Sequence, residues 1–237
     1  MTIRVKYLIA RFIPRAPFAY ITVRKYKKHP EKYSLEERVE WVRKLIKKET
    51  KQANVQLDIV GKENLPQTGG YLLTPNHQGL FDIFALFNGI DRPFKIVYKQ
   101  ELHKYILVGD VLDFMEYPGI DRQNLRQSIK VIKLATKEIA QGMPYVIFPE
   151  GTRSKKGNEM LEFKGGTFKC AIDSKAPIIP CAMIDCYKVL DADNMKKVHC
   201  QIHFLKPIPY EEYKDMGGTE VAAYVQKRIE TCIKEHA

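Results

Sequence analysis

Beyond Ala53, short apolar runs alternate with stretches of helical periodicity, and this alternation limits the chain to few folds. Runs rich in β-branched and aromatic residues predict strands, which lie at 55–60, 71–74, 94–98, 145–148, 178–184 and 198–205. Apolar residues at helical spacing predict helices, which lie at 80–88, at 126–141 and from Thr219 onward. This order predicts the α/β class, with a mixed, largely parallel central sheet flanked by helices.

The composition fits one globular domain with an appendage, because 45% of the 237 residues are hydrophobic and 28% are charged. The charge is distributed unevenly. Residues 1–51 carry 15 Lys and Arg against 5 Glu, a balance of +10, whereas residues 52–237 carry 24 basic and 23 acidic residues, a balance of +1. We therefore divide the chain into a basic, amphipathic helical arm at 1–51 and an α/β domain at 52–237.

Large apolar side chains alternate with basic ones in the first part of this arm. The apolar residues are Ile3, Val5, Tyr7, Leu8, Ile9, Phe12, Ile13, Phe18, Tyr20, Ile21 and Val23, and the basic ones are Arg4, Lys6, Arg11, Arg15, Arg24 and Lys25. This mixture favours a membrane surface as the partner over nucleic acid, because the rest of the chain has almost no excess of positive charge. The alternative is an arm that simply packs on the domain.

The arm contains no run of the roughly 18 consecutive apolar residues that a membrane-spanning helix needs. Arg11, Pro14, Arg15 and Pro17 interrupt the candidate segment, and the same charges argue against a cleavable signal peptide. We therefore expect a peripheral or monotopic protein on the cytoplasmic face of a membrane.

A second amphipathic helix is predicted from about Leu35 to Lys51. Ser34, with Glu37 three residues later, is a capping-box signature at its start. Its apolar face is formed by Leu35, Val39, Val42, Leu45 and Ile46, and its opposite face by Arg43, Lys44, Lys47 and Lys48. Such a helix could lie on the bilayer beside the preceding segment.

The five cysteines, at 170, 181, 186, 200 and 232, are scattered without paired short spacing. This pattern fits a reducing compartment, and we expect the cysteines to be small core residues. A metal site is conceivable from His199, Cys200 and His203. These residues lie on a predicted strand and lack a full ligand set, so we predict no metal.

A histidine and an aspartate, five residues apart, follow the second predicted strand. His77 comes just after the apolar run, and Asp82 comes five residues later. On one continuous helix the two would point about 140° apart, so the spacing favours a histidine in the loop and an aspartate in the first turn of the next helix. A carboxylate placed there can hold an imidazole. The alternative is that Asp82 only complements the helix dipole.

A second polar turn follows the predicted strand at 145–148, where Glu150, Gly151 and Arg153 come in close succession. Arginine offers a planar fork of donors that matches phosphate, and glycine lets the backbone approach a ligand closely. The turn is therefore suited to an anion, although Arg153 alone could equally be an ordinary surface residue.

Together the two segments resemble the 1-acyl-glycerol-3-phosphate acyltransferase family, whose first motif is a histidine, four residues and an aspartate and whose third is F-P-E-G-T-R. Tyr117–Arg122 resembles the second motif of this family, and Ala176–Pro180 resembles the fourth. The resemblance extends from about Val55 to the C-terminus. Gly79 stands where the family commonly has serine, and Cys181 where it has a β-branched residue, which leaves the acceptor open.

The resemblance implies an enzyme that moves a fatty acyl group from acyl-CoA or acyl carrier protein to the sn-2 hydroxyl of lysophosphatidic acid, giving phosphatidic acid without a cofactor. His77 would be the general base, and Asp82 would orient it. A nearby helix N-terminus could seat the oxyanion on its free N–H groups. The alternatives are another acceptor, such as glycerol 3-phosphate or a different lysophospholipid, and a non-catalytic basic module that binds membranes or nucleic acid.

The same resemblance assigns Glu150, Gly151, Thr152 and Arg153 to acceptor binding. Arg153 would contact the phosphate, and Glu150 would orient that contact or a substrate hydroxyl.

Two further cations are phosphate candidates. Arg122 lies in the segment that resembles the second motif, and Lys99 follows the strand predicted at 94–98. The alternatives are that Arg122 pairs with Asp121 or caps a helix, and that Lys99 is merely exposed.

Overall fold

The computed structural model of this protein describes the backbone of residues 1–237 and every side chain except that of Ile106. Three helices precede the first strand, and these are α1 (Ile3–Phe12), α2 (Ala16–Lys28) and α3 (Leu35–Gln52). Short 3₁₀ turns join them at Ile13–Arg15 and Pro30–Lys32. The predicted capping box is confirmed, since Ser34 Oγ accepts from the Glu37 N–H and the Glu37 carboxylate accepts from the Ser34 N–H.

Strands and helices then alternate to the end of the chain. The strands are β1 (Val55–Val60), β2 (Leu72–Pro75), β3 (Lys95–Ile96), β4 (Tyr98–Lys99), β5 (Gly119–Ile120), β6 (Tyr145–Val146), β7 (Ile178–Ile184) and β8 (Val198–Phe204). The helices are α4 (Phe81–Gly89), α5 (Ile106–Phe114), α6 (Leu125–Ala140), α7 (Lys169–Ser174), α8 (Tyr187–Asp191), α9 (Tyr210–Tyr213) and α10 (Gly218–His236). Further 3₁₀ turns lie at Lys62–Asn64, Gln100–Lys104 and Gly165–Phe168.

Six strands form the central sheet in the order β1-β8-β7-β2-β6-β3. β7 and β8 run antiparallel, and the other neighbouring strands of this sheet run parallel. The predicted mixed, largely parallel sheet is therefore confirmed. Strands β4 and β5 form a separate parallel pair. Because β2, β6 and β7 are parallel, the segments that follow them leave the sheet at one edge.

Helices cover both faces of the sheet, so the central strands are apolar on both sides. Every residue of β7 is buried. Neighbouring side chains point to opposite faces, so Leu72 packs with residues of α6 and α10, whereas Leu73 packs with residues of α3 and α4. All five cysteines are buried and free of disulfide bonds, which confirms that they pack as core residues.

The N-terminal helices pack on the α/β domain through a buried arginine. Arg4 is fully buried, and its guanidinium donates to the carbonyl oxygens of Ala53 (2.8 Å), Asn194 (3.2 Å) and Lys196 (2.5 Å). These bonds satisfy the charge without a carboxylate. Ala53 precedes β1, and Asn194 and Lys196 precede β8. Arg4 therefore fastens α1 to the end of the sheet at which these two parallel strands begin.

The prediction of an all-basic outer face on α3 is wrong for Arg43. That side chain is buried, where it donates to the Glu40 carboxylate at 2.5 Å and to the Arg92 carbonyl at 3.3 Å. Lys44, Lys47 and Lys48 are exposed, as predicted. Among the described residues, no helix combines the length and the apolar character needed to cross a bilayer.

Candidate active site

His77 lies two residues beyond the end of β2, in the loop that leads to α4. The residue before it fixes the start of this loop. Asn76 is buried, and its side-chain amide accepts from the Met183 N–H at 2.7 Å and donates to the Met183 carbonyl at 3.0 Å. Asn76 therefore continues the pairing between β2 and β7 with its side chain and holds His77 at the edge of the sheet.

Asp82 is the second residue of α4 and is fully buried. Its Oδ2 lies 2.7 Å from His77 Nδ1 and accepts the backbone N–H groups of Gln78 at 2.7 Å and Gly79 at 3.0 Å. The predicted arrangement, a loop histidine beside an aspartate in the first helical turn, is confirmed. Since a carboxylate accepts hydrogen bonds, Nδ1 carries the proton in the neutral imidazole, and the lone pair is on Nε2.

The side chain of His77 is 21% exposed, so the imidazole reaches the surface of the site while its carboxylate partner does not. The Phe148 ring lies against it with ring centroids 4.1 Å apart. The two backbone donors held by Asp82 change one expectation. The N–H groups of Gln78 and Gly79, which precede α4, are occupied by the carboxylate, so these two groups are not free to bind an oxyanion.

Glu150 contacts the histidine loop through the main chain. It is buried, and its two carboxylate oxygens accept the backbone N–H of His77 at 2.7 Å and of Leu161 at 2.9 Å. Burial raises the pKa of this carboxyl group, and the two N–H bonds oppose that rise. The structure thus gives Glu150 backbone partners, whereas the resemblance assigned it to orienting the phosphate contact of Arg153 or a substrate hydroxyl.

The turn after β6 holds the peptide groups on both sides of His77. Glu150 accepts the N–H of His77, and the N–H of Ser154 donates to the His77 carbonyl at 2.9 Å. Gly151 adopts φ of 74°, in the left-handed region that glycine tolerates best. A sharp turn at Gly151 lets residues 150 and 154 both reach the histidine. The turn at residues 150–154 therefore binds the main chain of His77, which brings the two sequence motifs together.

Cations surround this turn. Arg153 directly precedes Ser154, its side chain is partly buried, and no salt bridge to it occurs among the described residues. Thr152 is exposed. Sequence reasoning missed Lys164. Its ammonium nitrogen lies close to Gly151, because a Cβ atom added at that glycine would be 3.1 Å from it. Lys164 lies 13 residues after Gly151, so no local pattern in the sequence pointed to it.

Lys99 and the segment containing Arg122 are brought together by the small sheet. Lys99 pairs in register with Ile120, two residues before Arg122, and both cations are exposed. Lys99 lies 3.1 Å from the Glu101 carboxylate. No salt bridge between Arg122 and Asp121 occurs among the residues with described side chains, which disfavours the pairing alternative.

Gln78 forms a second network that sequence reasoning missed. Its side-chain amide donates to Asn158 Oδ1 at 2.7 Å and to the Gly157 carbonyl at 3.2 Å, and it accepts the Cys186 N–H at 2.9 Å. Asn158 in turn donates to Asp185 at 3.0 Å. These bonds anchor the histidine loop to the segment after Arg153 and to the end of β7.

The family model described as Acyltransferase matches residues 56–184, which is more than half of the chain and contains every candidate site residue. The chain is 31% identical over 130 residues to a 1-acyl-sn-glycerol-3-phosphate acyltransferase of Chlamydomonas reinhardtii, covering 54% of this chain and 39% of that protein. It is 26% identical over 185 residues to 1-acyl-sn-glycerol-3-phosphate acyltransferase alpha of Ovis aries, covering 76% of this chain and 64% of that protein. The chain thus spans less than two thirds of either relative.

A solved structure shares the fold over nearly the whole chain. The crystal structure of the 1-acyl-sn-glycerophosphate (LPA) acyltransferase, PlsC, from Thermotoga maritima superposes with a TM-score of 0.73. The superposition covers 98% of this chain and 94% of that one, at 17% sequence identity. The agreement includes the N-terminal helices, which lie outside the family match.

Proposed function

This chain belongs to the acyltransferase family, and we propose that it moves a fatty acyl group from a thioester to the sn-2 hydroxyl of 1-acyl-glycerol 3-phosphate, giving phosphatidic acid. The names of the curated relatives support this acceptor. The observation that carries the proposal is the 2.7 Å contact between His77 Nδ1 and the buried Asp82 carboxylate. It leaves a basic nitrogen at the surface of a site that is rich in cations.

The first step is attack of the acceptor hydroxyl on the thioester carbonyl. As the new C–O bond forms, His77 Nε2 takes the hydroxyl proton, and the carbonyl oxygen becomes an oxyanion. Asp82 stabilises the imidazolium that results, because its carboxylate already accepts the Nδ1 proton. The acceptor itself is the nucleophile, so no acyl-enzyme forms.

The second step is collapse of the tetrahedral intermediate. The C–S bond breaks, and the leaving thiolate receives the proton from Nε2, which returns His77 to its neutral form. Glu150 and Asn76 hold the histidine loop in place during both steps, because each binds backbone groups of that loop or of its neighbouring strand. Such positioning keeps Nε2 aimed at the hydroxyl.

The phosphate of the acceptor would bind at the cations around Gly151. We assign the first phosphate contact to Arg153, because it directly precedes Ser154, whose N–H binds the His77 carbonyl. The Lys164 side chain lies against the same glycine. A phosphate anchored there would place the rest of a short glycerol unit within reach of the imidazole. Arg122 and Lys99 supply further positive charge along the small sheet.

Membrane attachment is proposed for the exposed face of α1 and α2. The two helices bury Leu8 and Val23 against the domain, while Phe18 and Ile21 of α2 are 71% and 64% exposed, and Ile13 in the turn between the helices is 61% exposed. Exposed basic residues flank them at Lys6, Arg11, Arg24, Lys25 and Lys28. Apolar and cationic side chains on one surface suit an anionic bilayer, which would also supply the lipid acceptor.

Replacing His77 by Ala tests the chemistry. Acyl transfer from a labelled thioester to lysophosphatidic acid should fall by about 10³-fold or more, because the general base is lost. The assay should use acyl-CoA and acyl carrier protein as separate donors, with glycerol 3-phosphate as a second acceptor. His29→Ala, at a partly exposed histidine in the N-terminal arm, is the matched control. Turnover by His77→Ala at the rate of this control would refute the base.

Replacing Arg153 by Ala tests the phosphate site. The loss of one charge-assisted contact should raise the KM for lysophosphatidic acid by about 10- to 100-fold. The KM for the thioester should change little. Lys156→Ala, at an exposed cation in the same loop, serves as the control. An unchanged acceptor KM would place the phosphate elsewhere.

The double substitution Phe18→Ser and Ile21→Ser tests the membrane surface. Binding to anionic phospholipid vesicles in a sedimentation assay should weaken by at least about tenfold, because two exposed apolar side chains no longer insert. The control is Ile129→Ser with Leu134→Ser, which removes exposed apolar residues from α6. If the control lost vesicle binding and the test variant kept it, the membrane would contact α6 instead.

A further inference from the structure

A cavity of about 720 Å³ is lined by the carboxyl ends of β1 and β8 and by α10. His203, Cys232, His236 and Glu235 are among its lining residues. In the sheet, β7 separates β8 from β2, the strand that leads to His77. This cavity and its side chains therefore have no part in the proposed acyl transfer.

Three metal-ligating side chains meet at this cavity. His203 lies on β8, whereas Cys232 and His236 lie four residues apart on α10, a spacing that puts both on one face of the helix. One nitrogen of each histidine and the Cys232 sulfur all lie within 4.8 Å of one another. The strand alone lacks a full ligand set, and α10 adds two ligands to His203, which makes three.

Hydrogen bonds hold the two histidine rings of the cluster, and they assign the proton of His203 to one ring nitrogen. Gln201 donates through its amide nitrogen to the His236 carbonyl at 3.0 Å, so its oxygen accepts the His203 Nε2–H at 2.8 Å. The lone pair of His203 is therefore on Nδ1. His236 Nδ1 lies 2.9 Å from the Cys232 carbonyl oxygen and 3.9 Å from the Cys232 sulfur. Such outer contacts are the usual support of metal-binding histidines.

We propose that His203, Cys232 and His236 form a zinc site that fastens the end of α10 to β8. Thiolate and imidazole are ligands that zinc prefers over magnesium or calcium. Ligand atoms around a tetrahedral zinc ion lie about 3.5 Å apart, so the cluster would close by about 1 Å through small side-chain rotations. Water or the Glu235 carboxylate, which lines the same cavity, would complete the coordination.

Binding of Zn²⁺ to the full chain without a polyhistidine tag tests the site by titration calorimetry. We expect saturable binding of one equivalent, with no comparable binding of Mg²⁺. Co²⁺ should give the thiolate-to-metal charge-transfer absorption that a cysteine ligand produces. His236→Ala, at an exposed residue in the last turn of α10, should reduce zinc affinity by at least about tenfold. Cys232→Ser should abolish the charge-transfer absorption.

The matched control is His199→Ala, at an exposed histidine of the same strand that bonds Asp58 at 2.6 Å. This variant should keep the zinc affinity of the unmodified chain, and far-ultraviolet circular dichroism should confirm that each variant is folded. Zinc should also raise the melting temperature of the unmodified chain and of His199→Ala but not that of His236→Ala. Absence of stoichiometric zinc binding by the unmodified chain, or equal affinities for His199→Ala and His236→Ala, would overturn the proposal.

Discussion

One carboxylate oxygen, Oδ2 of Asp82, organises the loop on which the active site is built. It is fully buried and binds one ring proton and two backbone N–H groups. Charge-assisted hydrogen bonds of this kind contribute about 1.5–3 kcal/mol each, and they oppose the cost of keeping the carboxylate out of water, which is raised by an Oδ1 atom that is buried without a partner among the described side chains. The same bonds set the tautomer of His77. The oxygen that holds the loop therefore also fixes the tautomer of the proposed base.

The second buried carboxylate, Glu150, extends this arrangement to the other motif. By accepting the His77 N–H it connects the loop after β2 to the turn after β6, and the Ser154 N–H closes the connection on the other side of His77. Parallel neighbouring strands make this possible, because both segments leave the sheet at one edge. The turn that holds the histidine also carries Arg153, and its Pro149 carbonyl accepts the Lys164 N–H, so the proposed anion site and the proposed base share one scaffold.

Much of this could be predicted from the sequence, and the limits have physical causes. The spacing of His77 and Asp82 fixes their geometry locally, and the alternation of apolar runs indicates the sheet. The partner of Glu150 could not be predicted, since it is a backbone group 73 residues away. The burial of Arg43 depends on Arg92, a residue outside its helix. For the same reason His203 alone gave no sign of Cys232 and His236, which only the fold brings to its strand.

The tautomer of His77 tests the central claim most directly. Two-dimensional ¹⁵N–¹H spectra of the imidazole, recorded near neutral pH on the chain with labelled histidine, assign the proton to one ring nitrogen. The account predicts that the neutral form of the ring carries its proton on Nδ1 and its lone pair on Nε2, and that this preference is lost in Asp82→Asn. A resting ring protonated on Nε2 alone, or a tautomer unaffected by Asp82→Asn, would contradict it.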